Sequence, residues 1–134
     1  MSVECRIVVG LTIDLFDKEL SHKDFDRIHE FTDKHPELDE YKCRYDERKG
    51  KPLLIYDGMC GDFARLVWVD KIIDPGMLGE SNEYIRLPMP AGIESQYFIT
   101  QHICELIRYW EEFTGKEYDF NKPLVDYAMW SQWS

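Results

Sequence analysis

Pro52-Leu-Leu-Ile-Tyr56, Asp57-Gly-Met-Cys-Gly-Asp62 and Phe63-Ala-Arg-Leu-Val-Trp-Val-Asp-Lys-Ile-Ile73 follow one another directly, and their reading decides the fold. The outer runs are rich in Val, Ile, Leu and aromatic residues, which suit a pleated surface; the glycine-bearing stretch between them has turn chemistry. Two strands joined this closely make a hairpin, so the sheet is antiparallel. Upstream, Tyr41 to Tyr45 alternates and Arg48-Lys-Gly-Lys51 turns back into Pro52, which predicts another hairpin with a basic tip. Downstream, Asp74-Pro75-Gly76 ends the long strand. A loop with Gly79, Ser81 and Asn82 then leads to a short strand, Tyr84 to Leu87, stopped by Pro88 and Pro90.

The N-terminal region supplies a further strand. Cys5, Ile7, Val9, Leu11, Ile13 and Leu15 alternate with Glu4, Arg6, Val8, Gly10, Thr12 and Asp14, giving one apolar face and one mixed face. A helix follows, with Ser21 as N-cap and Asp24 in a capping-box position. Phe25, Ile28, Phe31 and Thr32 form its apolar stripe, and His35-Pro36 closes it. A second helix is expected from about Glu94 to Phe113, with Ile99, Ile103, Leu106, Ile107, Trp110 and Phe113 at helical spacing and Gly115 as its C-cap. The expected fold is therefore α+β in one compact domain, 1–134. An antiparallel sheet of about five strands runs in the order β-α-β-β-β-β-α, with two main helices on one face and a short aromatic C-terminal segment. That segment, Pro123 to Ser134, reads as a short helix capped by Asn121. It is too apolar to be left in water, so docking on the chain's own sheet is expected. Tyr127, Trp130 and Trp133 would otherwise be anchors of an interface, including that of a homodimer.

Several classes are disfavoured by composition. At 44% hydrophobic and 14% aromatic, the chain has ample material for a core. No stretch approaches the ~20 apolar residues of a membrane helix. Met1 to Arg6 shows no basic region followed by an apolar one, so a cytoplasmic protein with reduced thiols is expected, without membrane association. Cys5, Cys43, Cys60 and Cys104 form no C-x-x-C pair, and three of the four fall on apolar faces, where small buried hydrophobes are expected. No catalytic, metal or cofactor motif is present: neither phosphate-binding glycine motif occurs, and the Ca²⁺-loop spacing is absent around Asp57 and Asp62. An enzyme reading would have to rest on Cys60, flanked by glycines, with one of His22, His29, His35 or His102, or on His29 with Asp26, Glu30 or Asp33 around a metal.

Charge is the stronger signal. The net charge is −10, and residues 14–40 set ten carboxylates against four bases. Residues 42–51 reverse sign, with five bases against two carboxylates. Direct nucleic-acid binding is opposed by this sign, because such binding neutralises phosphates. Regularly spaced carboxylates instead compete with nucleic acid for basic clefts and steer association with them. The expected function is a small acidic binding protein, without catalysis or cofactor, that antagonises a basic nucleic-acid-handling protein. In size and charge it resembles phage anti-defence and toxin-immunity proteins. Asp24, Asp26, Glu30, Asp33, Glu37, Asp39 and Glu40 are the expected partner-binding residues. A thiol- or metal-dependent enzyme and an oligomeric accessory protein are the alternatives.

Overall fold

A computed structural model describes residues 5–44, 47–57, 63–73 and 84–133. Five strands, β1 (Cys5–Asp14), β2 (Pro52–Asp57), β3 (Phe63–Ile73), β4 (Ile85–Leu87) and β5 (Asp126–Trp133), form one sheet in the order β2-β3-β1-β5-β4. Every neighbouring pair is antiparallel. Two helices, α1 (His22–Lys34) and α2 (Ile93–Thr114), pack on the sheet. The expected α+β class, an antiparallel sheet of about five strands and the two main helices are present.

The identity of the fifth strand differs from the expectation, and so does the element order. Tyr41 lies in a 3-10 turn, Glu40–Lys42, which follows another at Pro36–Leu38. Asp39 accepts the Tyr41 N–H at 3.0 Å and so caps that turn. Arg48, 8% exposed, then donates to the Glu40 carbonyl at 3.0 Å and the Cys43 carbonyl at 3.3 Å. Carbonyls taken up by an arginine are withdrawn from a strand ladder, so the segment wraps the β2 edge with a single bridge, Asp39 to Leu54. The basic tip is thus partly interior structure. Tyr45, the turn at 58–62 with Cys60 and Asp62, and the loop at 74–83 lie outside the described residues.

The missing strand is supplied by the C-terminal segment. β5 is a strand and not the expected helix, and it lies between β1 and β4 in the interior of the sheet. Tyr127 and Met129 face α2, while Ala128 and Trp130 face the opposite side. Apolar residues point to both faces of this inner strand, so it lacks the apolar–polar alternation that marks a half-buried one. Ala128 opposes Gly10 on β1, where β1 bulges against β3. A Cβ at Gly10 would collide with the Trp68 carbonyl oxygen, so this close approach requires glycine.

β1 was expected to be half-buried; as the middle strand it is buried on both faces. Leu11 and Ile13 enter the cluster under the helices with Ile28, Phe31, Leu106 and Trp110. Val8 joins Leu53, Ile55, Val67, Val69 and Trp130 in a second cluster on the far face. At ~1.5–3 kcal/mol for each large apolar side chain, the two clusters supply most of the driving force for folding. The helix boundaries follow the expected chemistry. Asp24 Oδ2 accepts the Ser21 N–H at 2.9 Å and the Ser21 hydroxyl at 3.0 Å, and Gly115 closes α2 with φ of 69°.

Candidate functional site

The helices are positioned by aromatic contacts at their C-terminal ends. Phe31 of α1 meets Phe113 of α2 edge-on at 5.2 Å, and Arg27 lays its guanidinium over Phe113 at 4.7 Å while donating to the Phe113 carbonyl at 3.0 Å. Farther along α2, the His102 ring stacks on Trp68 of β3 at 3.8 Å and 14°. The outer surfaces of α1, the 36–42 connection and α2 therefore form one helical layer.

That layer carries the charge. By sequence, α1 sets four carboxylates against three bases, residues 36–42 three against one, and α2 four against one, a net of −6. The five strands balance four carboxylates with four bases. The asymmetry lies between layers, and α2 contributes the largest share. Sequence reading placed it in residues 14–40 alone and passed over Glu105, Glu111 and Glu112. Their signal was their position on the polar side of a helix with a single base, Arg108.

The seven expected partner-binding carboxylates separate into two groups. Asp26, Glu30 and Asp33 are exposed on α1, away from the buried Ile28 and Phe31. The other four have structural work. Asp24 is 6% exposed in its capping box, and its carboxyl is held below the usual range, chiefly by the Ser21 backbone N–H. Glu40 is 5% exposed, with Oε2 3.6 Å from Arg48 Nη1. Buried carboxylates with such partners are not an open surface. Asp39 caps the second 3-10 turn, and Glu37 accepts the Tyr109 hydroxyl at 3.0 Å. Burial, then the bond to Glu37, pushes the Tyr109 hydroxyl up to about 12.

The residues named for an interface are otherwise engaged. Tyr127 and Trp130 are each 7% exposed inside the sheet. The Tyr127 hydroxyl donates to Asp70 Oδ2 at 2.6 Å, and burial together with Asp70 raises its pKa. Trp133 pairs through its backbone with Cys5. The Tyr127 and Trp130 side chains are spent on the chain's own sheet.

For the thiol reading, Cys60 is outside the described residues. Cys43 is half-buried, with Lys51 Nζ 3.8 Å from its sulfur, and Cys104 is exposed on α2, which corrects its expected burial. Cys104 lines an open groove of about 650 Å³ with Tyr97, Thr100, Gln101, Glu105 and Arg108. His29 meets the Tyr56 ring edge-on at 5.6 Å. Among the described residues no three His, Cys, Asp or Glu side chains gather as a metal site, and no helix is long and apolar enough to cross a membrane. The chain matches no protein-family model, no curated protein and no solved structure.

Proposed function

We propose that this protein is a non-catalytic acidic binding protein that docks its helical layer on the basic cleft of a nucleic-acid-handling protein, as an antagonist of the anti-defence or toxin-immunity type. The observation that carries this reading is the distribution of charge between layers: a net of −6 on the helical elements against zero on the strands. A field of one sign over one side of a molecule raises the encounter rate with an oppositely charged surface and rejects phosphates. Asp26, Glu30 and Asp33 are the carboxylates free to meet cations, and the acidic side of α2 extends the same field.

The test uses the tagged protein to capture its partner from the source cell, followed by association kinetics of that pair. The rate should fall steeply as the Debye length shrinks from ~10 Å toward ~3 Å with added salt. Changing Asp26, Glu30 and Asp33 together to lysine should slow association by tenfold or more, within the ~10–1,000-fold span of electrostatic steering. The fold should survive, since the three positions are exposed. An unchanged rate for the triple variant would refute the electrostatic reading.

A further inference from the structure

We infer that the basic lobe formed by residues 41–44 and 47–51 is a second docking surface, whose occupant is a compact cluster of carboxylates set within the basic cleft of the partner. The inference rests on the functional reading above and narrows the partner to one class: nucleic-acid enzymes whose reacting centre gathers carboxylates around divalent cations.

The lobe is tied down from both ends. Arg48 is buried and donates to the Glu40 carbonyl at 3.0 Å and the Cys43 carbonyl at 3.3 Å. Gly50, at φ of 76°, gives its N–H to the Val69 carbonyl at 2.6 Å, and the Lys51 carbonyl accepts the Val69 N–H at 3.2 Å. A surface held in this way has little backbone freedom to lose on binding. What it presents is cationic. Lys42, Arg44, Lys49 and Lys51 are exposed, beside Tyr41 at 74%. Among the described residues, Lys42, Arg44 and Lys49 stand in no ion pair, and Glu47 is the only carboxylate of the lobe. Unpaired cations on a fixed frame are complementary to an external anion.

Position limits the size of that anion. β2 is the shared neighbour of the lobe and α1: Asp39 bridges to Leu54, while Tyr56 meets the rings of Phe25 at 6.2 Å and His29 at 5.6 Å. Asp26 and Glu30 each follow one of those contacts by one residue, and Asp33 lies one turn beyond His29. At ~100° per residue, the exposed acidic stripe therefore borders the β2 side of α1. The surface changes sign across β2. A nucleic-acid strand that covers the lobe and runs on meets the acidic stripe, where its phosphates are repelled. Anions confined to the lobe and bordered by cations meet no such penalty. Carboxylates on the floor of a cleft with basic walls have that pattern, and the lobe's ammonium groups would stand where divalent cations otherwise bind.

The combined variant Lys42→Glu, Arg44→Glu, Lys49→Glu tests the lobe against the captured partner and two defined probes, a labelled tri-aspartate peptide and a long single-stranded oligonucleotide at low salt. It should weaken the partner complex by about tenfold or more and lose the wild type's binding of tri-aspartate, while the wild type leaves the oligonucleotide unbound. Magnesium chloride should weaken the wild-type complex more than sodium chloride of equal ionic strength, an excess that vanishes in the variant. Unchanged partner affinity in the variant would overturn the inference. So would equal affinity, or none, of wild type and variant for tri-aspartate, and so would uptake of the oligonucleotide by the lobe. If the reversed variant does not fold, Lys42→Gln, Arg44→Gln, Lys49→Gln decides by the same readings. The Asp26, Glu30 and Asp33 lysine variant reports separately on the acidic layer. A loss confined to that variant refutes the lobe and leaves the functional reading, whereas a loss confined to the lobe variant does the reverse.

Discussion

Asp24 was expected on the partner surface, because it belongs to a run of acidic residues; its oxygen instead holds the first turn of α1. The distinction was available in the Ser21–Asp24 spacing, since a capping carboxylate is turned back along its own helix. Asp24→Ala should lower the melting temperature at neutral pH and leave α1 frayed at its start. The folded-state carboxyl is depressed below the ordinary aspartate range, so its stabilisation is present above that range and disappears as pH falls through the lower, folded one. The gap between wild type and Asp24→Ala in urea unfolding should therefore close on acidification below about pH 4. A gap that stays constant to pH 2 would show that the carboxylate does no capping. Glu40 is the harder case. Nothing in its local sequence announces that Arg48, eight residues on, folds back to bury it.

Among the elements, both helices were readable because each has a periodicity that matches its environment, and β1 and β3 because each is a long aliphatic run. α1 carries its stripe, its cap and the His35-Pro36 stop; α2 carries six apolar residues at helical spacing and Gly115. β5 was not readable as a strand. An inner strand buried on both faces lacks the apolar–polar alternation that marks a half-buried one. The expected hairpin at Tyr41–Tyr45 failed for the opposite reason, since a short alternation is cheap and side-chain capping by Asp39 and Arg48 outcompetes it. The docking of the C-terminal segment was nonetheless foreseeable from its apolarity, and it yields a test at this scale. Trp130→Ala, at 7% exposure, should cost about 3–5 kcal/mol in chemical denaturation with the mass in solution unchanged. Leu124→Ala, at 50% exposure just before β5, should change stability by less than ~0.5 kcal/mol. Equal effects at the two positions would mean that β5 is not an interior strand.

At the scale of the whole molecule, the sheet is assembled from distant parts of the chain. β1 pairs with β3, Asp14 opposite Arg65 and Ile7 opposite Ile73, and with β5, Cys5 opposite Trp133. Such non-local pairing requires long loops to close before any contact rewards them. Refolding, followed by tryptophan fluorescence in stopped flow, should occupy milliseconds to seconds once prolyl phases are set aside. A main phase of a few microseconds would show that local helix formation, and not closure of the sheet, limits folding. The place of β5 bears also on synthesis. Asp14 and Asp126 are 112 positions apart, so at ~5–20 residues per second the ribosome needs about 6–22 s to deliver the neighbour that β1 awaits. Throughout that interval the nascent chain presents Val8, Val9, Leu11 and Ile13 on a strand with one side unclaimed, which makes it a client for holding chaperones.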